Sequence, residues 1–143
     1  MSATMTTYEP IRKTVETRPA KLADAKYRFV ISDGQVDRQR DVINPMGWDL
    51  RAYSQNPIVL WGHDYKTLPI GKSLEVFVRD GKLQAVMQFT PPGLHPLADQ
   101  IRTFVDSDFL VGSSIGMLPL EWQYNQKRDG NDFTRQRFWN GRS

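Results

Sequence analysis

The sequence predicts a mostly β fold with helices, of the α+β class, and three features of the 143-residue chain point to it. Several short runs are rich in β-branched and aromatic residues and are bounded by turn residues. One segment, 96–107, changes to helical spacing of its apolar residues. The composition, 39% hydrophobic and 24% charged, is typical of a globular domain. We therefore expect a compact barrel or sandwich with added helices.

The first half of the chain contains three candidate strands. An edge strand is expected near Ile11–Val15, and Tyr27–Ser32 is aromatic and β-branched, as strands are. A polar loop at 35–47 follows. A short helix is expected over Trp48–Gln55. It should end there, because Pro57 disfavours the helical conformation in the residue before it. The wholly apolar run Ile58–Trp61 then predicts a buried strand.

The second half contains a strong hairpin signal. Asp80-Gly81 stands between the β-rich runs Leu74–Arg79 and Lys82–Phe89, and such a pair favours a tight turn between antiparallel strands. The other expected elements are a helix over 96–107, a strand over Leu110–Leu118 and a hairpin of Glu121–Tyr124 with Phe133–Trp139.

Composition and charge narrow the class of protein. Cysteine is absent, which excludes disulfides, thiol catalysis and cysteine metal sites. The net charge is +3 and basic and acidic residues are mixed, which indicates a solvated surface rather than a phosphate-binding stripe. No apolar run approaches the roughly 20 residues of a membrane span. We expect residues 1–25 to be a flexible leader and 26–143 to form one domain.

His63 is one of two histidines and ends an apolar run. A lone histidine at a strand end is more often structural than catalytic. If Trp61–Asp64 is extended, neighbouring side chains point to opposite faces, so Asp64 would not orient His63. With His95 as the only other imidazole, a zinc site would need carboxylates from distant segments.

The segment Gly112–Gly116 reads Gly-Ser-Ser-Ile-Gly and matches G-x-S-x-G. In an α/β-hydrolase a helix follows the serine, and the histidine comes later in the chain. Here Pro119 follows and both histidines precede Ser114, so we reject that fold. Ser114 would be a nucleophile if the fold brought a base to it, and otherwise a small packing residue. The pattern alone leaves both interpretations open.

The remaining polar and aromatic candidates favour structural roles. We interpret the charged residues of the loop as a salt-bridge lattice that fixes it: Asp37, Arg38, Arg40 and Asp41. A catalytic role for one of the carboxylates is the less favoured interpretation. His95 precedes the predicted helix, where it either caps the helix or is exposed. The tryptophans are expected in the core or an interface: Trp48, Trp61, Trp122 and Trp139.

Several blocks occur in an order typical of a known family. They are Tyr27–Ser32, Val36–Arg38, Asp41–Ile43, Gly47–Leu50, Asn56–Trp61, His63-Asp64, Pro69–Gly71, and Ser114–Gly116 followed by Pro119 and Glu121-Trp122. Together they cover roughly residues 26–122, and the chain there resembles the HK97-type prohead protease family of tailed phages. The specificity comes from the blocks together, since none would suffice alone.

The resemblance implies a serine endopeptidase of phage procapsid maturation, with a herpesvirus-assemblin-like β-barrel surrounded by helices. The family's histidine and serine blocks map onto His63 and Ser114 as the catalytic residues. The substrate would be the scaffold protein or the scaffolding region of the major capsid protein, and often the protease itself. Cleavage would occur inside the assembling procapsid in the host cytoplasm. No metal or organic cofactor, membrane or nucleic-acid partner is implied, and self-association stays open.

Two departures from the family pattern bear on the site. The residue before the family's serine is usually apolar, whereas here it is Ser113; we prefer Ser114, which directly precedes Ile-Gly. Family members also continue past the tryptophan-containing hairpin into a further segment. In the family, that segment is expected to form a core strand and to carry the acidic third member of the catalytic triad. Within this sequence, Asp37, Asp41 and Glu121 are open candidates for that third role. The alternatives are an inactive protease-fold module of capsid assembly, or a basic nucleic-acid-binding barrel.

Overall fold

A computed structural model describes residues 2–3, 10–63 and 66–139, and side chains within 10–62 and 66–139. The strands are β1 (Ser2–Ala3), β2 (Ile11–Val15), β3 (Ala20–Ala23), β4 (Lys26–Asp33), β5 (Val42–Ile43), β6 (Trp48–Asp49), β7 (Ile58–Val59), β8 (Gly71–Arg79), β9 (Lys82–Phe89), β10 (Ser113–Asn125) and β11 (Gly130–Trp139). The helices are α1 (Arg51–Gln55) and α2 (Pro96–Asp106), with 3-10 turns at Pro45–Gly47 and Trp61–His63.

The strands form two sheets. Within the described residues, the first sheet is built on the β10–β11 hairpin, with β1 and β2 antiparallel to β10, and β5 and β6 parallel to β11. The second sheet has the order β3-β4-β9-β8-β7. The prediction of a mostly β fold with helices is thus confirmed.

The β8–β9 hairpin forms where the sequence predicts it. Asp80 has φ 55° and Gly81 φ 71°, and Arg79 pairs directly with Lys82 across the turn. Two successive positive φ values are what a two-residue hairpin turn requires, because its twist then matches that of the strands. Local sequence alone therefore specifies the register of this hairpin.

One cluster of buried apolar side chains joins the two sheets. Ile31, Leu83 and Ala85 of the second sheet pack against Ile115 and Phe138 of the first. All five are at most 8% exposed. On β9 the inward residues alternate along the strand, as expected where one face is buried. Helix α2 covers one end of the second sheet through its buried residues Ala98 and Ile101.

The polar loop between β4 and β5 is anchored by a buried lysine. Lys13 on β2 is 6% exposed, and its Nζ lies 2.8 Å from Asp37 Oδ2 and 2.6 Å from Asp41 Oδ2. Asp37 Oδ1 accepts the backbone N–H of Gln39 and of Asp41. Asp41 Oδ1 accepts the N–H of Asn131 on β11. Salt bridges fix the loop as predicted, but the cation is Lys13 of β2, whereas Arg38 and Arg40 pair outside the loop with Glu16 and Asp129. The lattice therefore ties the loop to β2 and β11.

The sequence-based boundaries are wrong in the first half of the chain. The edge strand expected at Ile11–Val15 is confirmed as β2, whereas residues 20–23, for which no strand was expected, form β3 of the second sheet. The short helix begins at Arg51 rather than Trp48. Trp48–Asp49 instead pairs with Gln136-Arg137 of β11, so tertiary pairing overrides the local signal.

The strands predicted at Leu110–Leu118 and Glu121–Tyr124 merge into a single 13-residue strand, β10, which begins at Ser113 rather than Leu110. Pro119 lies inside it, next to a register shift between Pro119 and Glu121. Proline cannot donate to a strand ladder and is accepted at such irregularities. The strand therefore continues through the proline, with a shift of register.

Replacing Lys13 with alanine should destabilise the fold by about 3–5 kcal/mol, because two carboxylates would then be left without their buried cation. Urea denaturation of the Lys13→Ala variant measures this loss. Arg38→Ala is the matched control: its side chain is 86% exposed and lies 3.5 Å from Glu16. The control should change stability by less than about 0.5 kcal/mol. Equal effects of the two substitutions would contradict the anchoring role.

Candidate functional site

A cavity of about 420 Å³ lies between the two sheets and α2. Three segments that are distant in sequence line it: Ile58–Gly62, Ser113–Gly116 and the end of β11 at Phe138-Trp139. The first segment comes from the edge of the second sheet, and the other two from the first sheet. The cavity thus occupies the seam where the two sheets face each other.

The exposed fractions of the lining side chains distinguish the floor of the cavity from its mouth. Tyr53, Ala85 and Met87 are at most 4% exposed and form the floor. Trp61 is 44% and Val111 46% exposed, so these residues lie at the mouth. Ser114 is also exposed and lines the cavity. The serine singled out by its sequence motif therefore stands at the entrance of an apolar cavity.

The adjacent serines of β10 have different surroundings. The half-buried Ser113 donates its hydroxyl to the carbonyl of Val30 on β4 at 2.7 Å, which links the two sheets. Ser114, the next residue of the strand, is exposed and lines the cavity. Its register partner on β2 is Thr14, which lines the cavity as well. Ser114 is the candidate for chemistry because it is exposed, lines the cavity and directly precedes Ile115-Gly116.

Glycines on both sides of the serine pair let neighbouring strands come close. A Cβ on Gly116 would lie 2.6 Å from the carbonyl oxygen of Trp139. A Cβ on Gly112 would lie 2.6 Å from the carbonyl oxygen of Val15, and its φ of +102° disfavours other residues. The G-S-S-I-G motif is therefore explained by close backbone approach around Ser114.

Tyr53 forms a neutral wall of the cavity. Its ring stacks on Phe138, with centroids 3.9 Å apart and planes 15° from parallel. Its hydroxyl lies 2.7 Å from Ser73 Oγ and 3.2 Å from the Ile58 carbonyl oxygen that accepts from it. Burial raises the pKa of the Tyr53 hydroxyl. Sequence reasoning missed this residue, since a tyrosine in a five-residue helix carries no motif.

Asp49 anchors the start of α1, the helix that carries Tyr53. Its Oδ1 accepts the backbone N–H of Arg51 at 3.1 Å, and the guanidinium of Arg51 donates to both carboxylate oxygens. These hydrogen bonds hold the pKa of Asp49 at about 2. The wall of the cavity therefore depends on a charged carboxylate outside it.

His63 is the last residue of the 3-10 turn that follows β7. The residue before it, Gly62, lines the cavity. The side chain of His63 and all of Asp64 lie outside the described residues. The expectation of an extended Trp61–Asp64 segment is wrong as far as His63, because Gly62 has φ +60° inside the turn. Successive side chains of Trp61–His63 therefore do not alternate between two faces as they would in a strand.

The candidates for a third catalytic group lie elsewhere. Asp37 and Asp41 are held by Lys13, and Glu121 Oε1 pairs with Arg135 at 3.2 Å. None of the three carboxylates lines the cavity, and neither does any other aspartate or glutamate that the structure describes. The half-buried His95 places Nε2 3.4 Å from the Leu68 carbonyl oxygen and is likewise not a lining residue.

The tryptophans are divided between core and cavity. Trp122 is 8% exposed in a core cluster that Trp48 packs against, as predicted. Trp139 is half-buried, and with the exposed Trp61 it lines the cavity. For Trp61, which stands at the entrance to the cavity, the core position is excluded and the interface position stays a prediction.

Comparison with known proteins does not assign the chain. No protein-family model, curated protein or solved structure matches it. Among the described residues, no group of three or more histidine, aspartate or glutamate side chains could hold a metal ion. No helix in this part of the chain is long and apolar enough to cross a membrane.

The contribution of Asp49 to stability should depend on pH. Its pKa is lowered from 3.8 to about 2 in the folded state, so the charged form is favoured by folding. The stabilisation is complete above about pH 4 and is lost as the pH falls toward about 2. Urea unfolding of Asp49→Asn and the unmodified protein should therefore differ most near neutral pH and converge in acid. Asp80→Asn, in an exposed turn, is the control for removing a carboxylate. If the difference in unfolding free energy between Asp49→Asn and the unmodified protein persisted unchanged in acid, the stabilising role of the Asp49 charge would be contradicted.

Proposed function

We propose that the protein is a serine endopeptidase in which Ser114 is the nucleophile and His63 the general base. The observation that carries the proposal is that two distant segments line one cavity. The turn leading to His63 reaches it from the second sheet, and the strand of Ser114 from the first. A nucleophilic serine needs a base close by, and this arrangement supports such a pairing.

In the proposed reaction, the hydroxyl proton of Ser114 passes to His63 as the oxygen bonds to the scissile carbonyl carbon. The carbonyl π electrons move to the oxygen, which becomes an oxyanion. Its collapse breaks the C–N bond, and His63 returns the proton to the leaving amine. Water, activated by the same histidine, then hydrolyses the acyl ester and restores Ser114.

The viral role in this proposal comes from the resemblance to prohead proteases. We propose that the protein acts in procapsid maturation, on the scaffold protein or the scaffolding region of the major capsid protein. An assemblin-like barrel belongs to the same proposal, and two sheets joined through a shared core are compatible with it. A third catalytic group is left unassigned.

Ser114→Ala and His63→Ala should each lower kcat/KM for the coexpressed substrate by at least about 10⁴-fold, as loss of a nucleophile or base does in serine proteases. Ser113→Ala is the matched control. It removes one hydroxyl from the adjacent residue and should cost about 1 kcal/mol of stability through the lost bond to Val30. Its cleavage rate should stay within about tenfold of the unmodified protein. Normal cleavage by both Ser114→Ala and His63→Ala would refute the mechanism.

The inactive-module alternative is distinguished by covalent chemistry. A small alkyl fluorophosphonate should label the unmodified protein at Ser114 and leave Ser114→Ala unlabelled, as read by intact-mass and peptide mass spectrometry. Absence of labelling together with absence of cleavage would favour an inactive assembly module. Duplex DNA titrated at low salt tests the nucleic-acid alternative, because phosphate binding is strongest there.

A further inference from the structure

We propose that the cavity beneath Ser114 is a side-chain subsite, and that the substrate carries a neutral apolar residue on the acyl side of the scissile bond. This inference rests on the proposed function of Ser114 and adds the class of residue that is cleaved. The volume, about 420 Å³, lies within the range of roughly 300–1,000 Å³ that small-molecule pockets occupy. It is ample for a leucine or phenylalanine side chain.

The position of Ser114 links the cavity to the reacting bond. In the acyl-enzyme, the residue bonded to Ser114 Oγ is the one whose carbonyl was attacked, so its side chain is the nearest to the serine. Ser114 is exposed at the mouth, whereas Ala85 and Met87 below it are 4% and 3% exposed. A side chain entering from the acyl residue would therefore pass from the mouth toward this buried floor.

The chemistry of the wall favours an apolar side chain. No charged residue is among the described residues that line the cavity. Its deeper hydroxyls are held within the fold: that of Tyr53 by Ser73 and Ile58, and that of Ser113 by Val30. A charged side chain would lose its water without gaining a partner, which is costly. An apolar side chain would bury surface against Met87 and Phe89 instead.

Ala85 sets the depth of the proposed subsite. It lies on β9 in the inward-facing series that also contains Leu83 and Met87, and it is the smallest of the three side chains. It lines the cavity on the floor. A larger residue at position 85 would occupy the space that we assign to the substrate side chain, without removing any hydrogen bond.

Aminoalkyl diphenyl phosphonates with leucine, glutamate and lysine side chains test the preference directly. In the labelling reaction the Ser114 Oγ–P bond forms, a P–O bond to phenoxide breaks, and the serine proton leaves with it as phenol. The leucine analogue should label at least about tenfold faster than either charged analogue. Faster labelling by the glutamate or lysine analogue would overturn the inference. This comparison uses only the unmodified full chain.

Ala85→Leu tests whether the cavity is responsible. It should slow the leucine analogue by at least about tenfold and change the rate of the small alkyl fluorophosphonate by less than about twofold. Ala20→Leu, at a half-buried alanine of β3 outside the cavity, should change neither rate. Unchanged leucine-analogue labelling in folded Ala85→Leu would overturn the cavity assignment. Failure of the fluorophosphonate to label the unmodified protein would instead refute the proposed role of Ser114.

Discussion

The contact between the two sheets is the interaction on which the rest of the structure depends. Ile31, Leu83 and Ala85 reach it from the second sheet, and Ile115 and Phe138 from the first. Burial of such side chains supplies the main free energy of folding, and here it also sets the distance between the sheets. The hydrogen bond from Ser113 to Val30 lies across the same seam. The cavity exists because α1, α2 and β7 surround this contact without filling all the space beside it.

The positions of the site residues depend on how the two sheets pack against each other. Ser114 is held by a strand with β2 on one side and the end of β11 close to it, so its backbone is positioned by the sheet rather than by a loop. The turn before His63 comes from the opposite sheet. Any movement of one sheet against the other would therefore change the separation of the two segments. The buried Lys13 lattice strengthens the first sheet, and Lys13, Asp37 and Asp41 do not themselves line the cavity.

Sequence reasoning succeeded where a local rule decides the conformation. The Asp80-Gly81 turn and helix α2 follow from turn chemistry and from helical spacing, and each lies where it was expected. It failed where distant segments compete for a strand. Trp48–Asp49, expected in a helix, pairs instead with β11, a partner that cannot be read from nearby residues. The strand predicted to end at Trp61 ends at Val59, because a 3-10 turn with Gly62 at a left-handed φ follows it. The neighbouring residues do not indicate this turn.

The residue types of the candidate site are readable from the chain: a histidine after an apolar run, and a serine pair between glycines whose small size lets backbones approach. Their order also carries the resemblance to a family of serine proteases. Only the fold decided that Ser113 bonds to the opposite sheet while Ser114 faces the cavity mouth, and that Tyr53 forms a wall. The reason is physical. Turn and helix preferences act within a few residues, whereas a cavity forms between segments whose packing the whole chain must satisfy together.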